Sequence, residues 1–272
     1  MHIVTLMENT PGMPGCAYEH GLSFYAETAH HKILLDTGAS DGFIRNAEIL
    51  GVDLSQVDTV ILSHGHYDHC GGVMALSKIA PDARIYLRDC AGGEFFHVGE
   101  DGIRYIGIDR DILDLPGLIT VSRSTAPDDE IDIFTNITGR RCYSTSNDAL
   151  KIRLGDRYKP DPFRHEMCTV LHDGGKNYLF SGCAHSGILN ILDSYRDLYG
   201  GCPDVVLTGF HFMKKTEHTE AEKQNILQVA KELSGMPAVF YSGHCTGEEA
   251  FALMKEVMGE QLRELHSGMT VL

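Results

Sequence analysis

The sequence predicts a mixed α and β protein with two strand-rich halves, each with helices after its strands. Three observations predict this. Short runs rich in Val, Ile, Leu and Phe, bounded by Gly, Asp and Asn, recur in both halves. Apolar residues at helical spacing follow several of these runs. Between the halves, from about residue 89 to 165, glycines, charges and short apolar patches alternate without either rhythm. Halves of this kind suggest two sheets packed face to face with helices outside.

Residues 3–6, 22–26 and 32–35 read as strands, and the last runs into the turn Asp36-Thr37-Gly38. Phe43, Ile44, Ala47 and Leu50 then recur at helical spacing, with Gly51 as the stop. Thr59-Val60-Ile61-Leu62 is a buried-strand pattern that leads directly into a histidine-rich loop. Val73, Met74, Leu76 and Ile79 predict a helix ended before Pro81, and residues 84–87 resume a strand. The segment 89–165 reads as an insertion or cap beside the core of a single domain spanning 1–272.

Residues 168–171 and 178–180 form a hairpin around Asp173-Gly174-Gly175-Lys176. A helix from about Ser186 and a strand at 205–207 follow. Thr219 and Glu222 have capping-box spacing ahead of an apolar face made by Ile226, Val229, Ala230 and Leu233. A strand at 238–241 leads to His244, and Thr246 with Glu249 repeats the capping-box spacing before a last helix. Residues 269–272 read as an edge strand.

Composition bounds the function. The 272 residues are 43% hydrophobic and 22% charged, as in an ordinary soluble globular protein. The longest apolar runs are strand-sized, far short of the roughly 18 residues of a membrane span. No basic segment leads into an apolar stretch, so no signal peptide is expected. A net charge of -15 argues against general nucleic-acid binding. It leaves room for a small anionic substrate, because bound cations reverse the local field. The eight cysteines are scattered with no CxxC pair, which predicts reduced thiols and a cytoplasmic location.

The chemistry concentrates in Ser63-His64-Gly65-His66-Tyr67-Asp68-His69. His64, His66, Asp68 and His69 offer imidazole nitrogen and carboxylate oxygen, donors that suit zinc, iron or manganese. His64 and His66 alternate and point the same way from an extended segment. Asp68 and His69 turn toward a second position, so one loop supplies parts of a two-metal centre.

This loop resembles the HxHxDH signature of the metallo-β-lactamase superfamily, and Leu35-Asp36-Thr37-Gly38 resembles that superfamily's first turn. Four further stretches are similar to the subgroup named for dihydropterin-(ribofuranosyl)aminobenzene-phosphate synthase. They are Glu19-His20-Gly21-Leu22-Ser23, Gly182-Cys183-Ala184-His185-Ser186-Gly187-Ile188, Gly209-Phe210-His211 and Gly243-His244-Cys245-Thr246-Gly247. The resemblance implies an α+β fold, an αββα sandwich with metals at one edge between the sheets. It implies His64, His66 and His185 for one metal, and Asp68, His69 and His244 for the other. The implied cofactors are two divalent transition-metal ions, zinc first, with iron or manganese as alternatives.

One position departs from the family pattern. Many members carry Gly-Asp, whose carboxylate bridges the metals, where this chain reads Gly182-Cys183. Either Cys183 is a thiolate ligand, or a water or hydroxide alone bridges, or the second metal binds weakly; a small buried cysteine is the plain alternative.

Asp68 is also a candidate for orienting the nucleophile. His211, after a strand on the same edge, is a candidate to bind a substrate phosphate or to protonate a leaving group, with a structural histidine as the alternative. His20, with Glu19 beside it, is a substrate-binding candidate, Glu8 and Asn9 are further candidates for that role, and Lys214 and Lys215 are candidates to attract an anion. The expected function is metal-dependent hydrolysis by metal-activated water, on a phosphate ester, phosphodiester or pterin-phosphate type substrate. The alternative is a transferase of pterin chemistry that releases pyrophosphate. Two other readings are a di-iron redox protein, which normally carries a flavin domain that this length does not accommodate, and a binding protein that keeps metals only to hold a ligand. The partner expected is a small anionic molecule; neither nucleic acid nor membrane is expected.

Overall fold

The structure, a computed structural model, describes residues 1–272. It begins with an antiparallel meander of β1 (His2–Met7), β2 (Ser23–Glu27) and β3 (Lys32–Leu35). Helix α1 (Gly42–Ile49) carries the chain to β4 (Thr59–Ile61), parallel to β3. The short helix α2 (Tyr67–Cys70) and α3 (Val73–Ile79) lead to β5 (Arg84–Arg88), parallel to β4. The hairpin β6 (Phe95–Gly99) and β7 (Gly102–Tyr105) leaves this sheet, and β8 (Leu118–Val121) returns to its edge beside β5.

β9 (Ile131–Thr135) starts the second sheet. β10 (Leu150–Leu154) and β11 (Arg157–Pro160) then join the earlier hairpin in a four-stranded sheet ordered β11-β10-β6-β7. The second half continues through β12 (Met167–Asp173), β13 (Lys176–Ser181), α4 (Ile188–Tyr199), β14 (Val205–Thr208), α5 (Glu220–Ser234), β15 (Val239–Ser242), α6 (Glu248–Met258) and β16 (Leu262–Glu264). The two main sheets are six-stranded, ordered β1-β2-β3-β4-β5-β8 and β16-β15-β14-β13-β12-β9.

Alternation along the strands explains the layering, because successive side chains point to opposite faces. On β2 and β3, Phe24, Ala26, Ile33 and Leu35 face the other sheet, and Tyr25 and Leu34 face the helices. On β13, Tyr178 and Phe180 enter the same inter-sheet layer while Leu179 meets the helices. Phe24 and Phe180 meet edge to face across that layer, ring centroids 5.9 Å apart. The outer layers are built by α1 and α3 on the first sheet and by α4, α5 and α6 on the second. The result is the αββα sandwich.

The structure differs from the sequence expectations at three places. The segment 89–165 is not all outside the core: β8 and β9 close the outer edges of the two main sheets, and the rest builds the four-stranded sheet. Their short lengths and mixed burial hide them from periodicity. Thr246 does not cap α6, whose N-cap is Gly247 at φ 79° with no side-chain bond. The hydroxyl of Thr246 instead meets Phe210 N at 3.0 Å and Ser242 Oγ at 2.7 Å. Residues 269–272 run beside β1 through a single bridge, Val4 to Thr270, and backbone bonds such as Val271 N to Ile3 O, without forming a regular strand. All eight cysteines are free thiols. No helix is long and apolar enough to cross a membrane.

Candidate metal centre

The expected ligands gather where the strand C-termini of both sheets meet one edge. β3 delivers Asp36 and β4 delivers the 64–69 loop; β13, β14 and β15 deliver Cys183–His185, His211 and His244. The local backbone is forced. Asp36, Ala184, His211 and His244 all adopt positive φ, between 48° and 57°. Such conformations cost of order 1–3 kcal/mol each and persist only where the surroundings over-determine them. Gly182 is needed for closeness: a Cβ there would lie 2.2 Å from Ser63 Oγ.

The hydrogen bonds fix which nitrogen of each ring is free. Asp36 accepts from Ser63 N (2.7 Å), from Ser63 Oγ (2.7 Å) and from His69 Nδ1 (2.6 Å). Because Ser63 Oγ donates to Asp36, it accepts from His64 Nδ1, 2.9 Å away. Asn147 Nδ2 donates to His185 O at 3.0 Å, which turns its Oδ1 toward His185 Nδ1, also at 3.0 Å. Asn9 Oδ1 accepts from Gly21 N (3.3 Å) and therefore from His244 Nδ1 (2.8 Å). Each of His64, His69, His185 and His244 thus carries its ring proton on Nδ1 and keeps a lone pair on Nε2. Outer partners that fix the tautomer in this way are typical of metal-binding histidines.

The freed nitrogens converge. His64 Nε2 and His185 Nε2 stand 3.3 Å apart. His69 Nε2 and His244 Nε2 stand 3.2 Å apart, with Asp68 Oδ2 at 3.7 Å and 3.3 Å from them. The His66 ring lies 4.6 Å from that of His64 and 5.0 Å from that of His185, and its buried Nε2 has no partner. Lone pairs facing each other at such distances do not hydrogen-bond, so these donors fit cations between them. Burial holds His64 and His185 well below the usual histidine range and His66 at about 3, keeping these rings neutral. Burial opposes charge on His69 too, but the Asp36 and Asp68 carboxylates outweigh it and raise its pKa. Burial also opposes ionisation of Asp68, yet the neighbouring His69 and a hydrogen bond from His20 hold its carboxyl well below the usual carboxylate range.

Cys183 is buried between the two pairs. Its Sγ is within 4.8 Å of the donors of His64 and His185, and equally of His69 and His244; it is 3.2 Å from His69 Nε2. Burial pushes its thiol up. His211 is at the site but off the two triads, its ring 4.1 Å from that of His185 and its Nδ1 buried without a partner. His20 lies at the mouth, stacked on His244 at 4.9 Å, with Nε2 3.3 Å from Asp68 Oδ2.

Three other candidates have partners away from the metal ligands. Glu19 faces away, accepting from Ala39 N, Ser40 N and Ser40 Oγ. Lys214 is paired with Glu222 and the exposed Lys215 with Asp101. A cavity of about 380 Å³ beside the His244 loop has Glu8, Glu248, Glu249 and Glu264 in its walls.

Sequence reasoning missed most of the supports and had Glu8 and Asn9 as substrate candidates instead. Glu166 accepts from His185 N at 2.6 Å and Ser186 N at 2.9 Å, and Glu8 accepts from His244 N at 2.5 Å. His165 Nδ1 accepts from Gly65 N at 3.0 Å, and its Nε2 donates to Asp161 at 3.1 Å. Both nitrogens of His165 are engaged, so it has no lone pair to offer a metal despite its place beside His66. The 89–165 segment adds Phe163, stacked on His185 at 4.4 Å, and Asn147.

A sequence profile of the metallo-β-lactamase superfamily matches residues 19–131. The 7,8-dihydropterin-6-methyl-4-(β-D-ribofuranosyl)-aminobenzene-5'-phosphate synthase of Methanocaldococcus jannaschii is 25% identical over an alignment covering 98% of this chain and 94% of its own. A solved structure of a metal-dependent hydrolase of the β-lactamase superfamily superposes with a TM-score of 0.82 at 27% identity, covering 100% of this chain and 98% of that one. Zinc-bound PqqB from Methylobacterium extorquens shares the fold, with a TM-score of 0.57 at 12% identity and full coverage of both chains.

Proposed function

We propose that the chain is a member of the metallo-β-lactamase superfamily, whose profile matches residues 19–131, and that it is a metal-dependent hydrolase whose site takes two divalent transition-metal ions, zinc by preference. The observation that carries this reading is the shared tautomer of four buried histidines, each with a bare Nε2 aimed at the same small volume. One ion falls to His64, His66 and His185, the other to Asp68, His69 and His244. Cys183, within reach of both pairs, adds a soft donor that suits zinc. When bound, such ions lower the pKa of water toward neutrality and stabilise the negative charge that develops on an attacked phosphorus or carbonyl.

The chain's own residues orient and exclude. Asp36, Asn147 and Asn9 hold the ligand rings; Phe163 and the buried 64–69 loop keep bulk water from the side of the four-stranded sheet. Asp68, the carboxylate that is ionised despite burial, orients the nucleophile. His211 lies beside His185 with a ring nitrogen free to receive or give a proton at the leaving group. The substrate class proposed is a phosphate ester, phosphodiester or pterin phosphate. The M. jannaschii relative's name favours pterin phosphates and keeps open a transfer with loss of pyrophosphate. An anion would be drawn here by cations held at the site.

The test is metal analysis of zinc-reconstituted protein, followed by turnover on phosphate monoester, phosphodiester, lactone and pyrophosphate panels. About two zinc ions per chain and phosphoester turnover are expected. A saturating stoichiometry of one that Asp68→Ala leaves unchanged refutes the dinuclear site; lactone turnover alone refutes the phosphate class.

A further inference from the structure

Resting on that reading, we propose that Asn9 is a positioning residue that sets opposite ring tautomers in His244 and His20, making one a metal ligand and the other a hydrogen-bond donor to Asp68. Two backbone groups orient the Asn9 amide. Gly21 N–H is only a donor, and it points at Asn9 Oδ1 from 3.3 Å. His244 O is only an acceptor, and it receives Asn9 Nδ2 at 3.3 Å. The amide therefore cannot be flipped without losing both bonds.

The two histidines take opposite ends of this fixed amide. His244 Nδ1 meets the oxygen at 2.8 Å, so it carries the proton and leaves Nε2 bare. His20 Nδ1 meets the amide nitrogen at 3.1 Å, so it is the bare nitrogen and the proton sits on Nε2. That Nε2 lies 3.3 Å from Asp68 Oδ2. The rings stack at 4.9 Å, which keeps both in register over the carboxylate.

His20, Asp68 and His244 have ligand atoms close enough to hold an ion. The assignment here removes His20 from that set, because a protonated Nε2 has no lone pair. Its role is to hold the Asp68 carboxylate from the solvent side, as ligating carboxylates are commonly held. One amide thereby controls two of the three groups assigned to the second metal.

The experiment uses protein labelled with ¹⁵N-histidine, metal-free and zinc-loaded, read by long-range ¹H–¹⁵N correlation. The His20 signals are identified by their loss in His20→Gln. The expected pattern is Nε2–H on His20 and Nδ1–H on His244. In Asn9→Asp both ends become acceptors while Asp68 still accepts at Nε2, so His20 should gain a proton on Nδ1. Zinc affinity at the Asp68 site should fall about 10- to 100-fold, as for loss of outer partners. Asn9→Ala, which adds no charge, should give His20 mixed tautomers. A bare Nε2 on wild-type His20, or an Nδ1 that stays unprotonated in folded Asn9→Asp, overturns the proposal. The metal-free spectra keep it separate from the dinuclear reading: a chain that binds no zinc sinks that reading while the tautomers still decide this one.

Discussion

At the scale of single residues, the Gly65 N–H has one partner, His165 Nδ1, and that bond ties the ligand loop to a segment far along the chain. A Cβ at Gly65 would lie 2.4 Å from Ala91 O, so the loop is also pressed from the other side. His165→Leu would leave the buried donor unmet, and about 1–3 kcal/mol of stability should be lost; urea unfolding of the metal-free variant beside wild type measures it. A loss below about 0.5 kcal/mol would mean that water replaces the ring. The ligand and substrate assignments separate in the same way. His185→Ala and His244→Ala should each lower bound zinc together with activity. His211→Ala should keep both ions while turnover falls about 10²-fold or more. If His211→Ala loses an ion and His185→Ala does not, the two roles are exchanged. The residues in the 64–69 loop were legible because four donors share six positions. Asn147, Glu166 and the pair Asp161 and His165 were not, and Asn9 was read only as a substrate candidate, because each is one polar residue with no periodic neighbours, and only the fold chooses its partner.

At the scale of elements, two stretches with the same S/T-x-x-E spacing met different fates. Thr219 caps α5 and Glu222 closes the box. Before α6, Gly247 intervenes at positive φ, and Thr246 turns inward. Spacing states what a cap requires; the glycine decides whether the backbone takes it up. Glu249, released from capping, ties the loop after His211 to the first turn of α6. It accepts from His218 Nδ1 at 2.7 Å and meets Lys223 at 3.1 Å, while His218 Nε2 donates to Phe212 O at 2.8 Å. The His218 hydrogen bonds and Lys223 lower the Glu249 pKa to about 2. A carboxyl depressed on folding contributes stability that is present above its unfolded value, about 4.3, and is lost as pH falls toward the folded one. Glu249→Gln should therefore lower Tm relative to wild type above about pH 5, and the gap should close between about pH 4 and pH 2. A gap that stays constant with pH would show that the carboxylate charge does not matter to this tie.

At the scale of the whole molecule, alternation and helices after strands made a mixed α and β fold legible and the family resemblance supplied the αββα sandwich, while the edge strands β8 and β9 were missed because four or five residues among turns carry too little periodicity. What the layers accomplish is to split the site. The first sheet holds Asp36, His64, His66, Asp68 and His69; the second holds Cys183, His185, His211 and His244. Each proposed ion takes ligands from both sheets, so it links them at the open edge of the inter-sheet core. The unfolded chain does not preserve such a site, and binding free energy therefore becomes folding free energy. At a free zinc level about 1,000 times the dissociation constant, mass action adds about 4 kcal/mol per site. Calorimetry of zinc-loaded protein, with and without a chelator, should show a Tm that rises with free zinc and unfolding that stays a single transition. His64→Ala and His244→Ala, one from each sheet, should each lose part of the increment, since each sheet supplies ligands to both ions. A zinc-dependent rise confined to one of two resolved transitions would mean that the ions sit within one half and do not join the sheets.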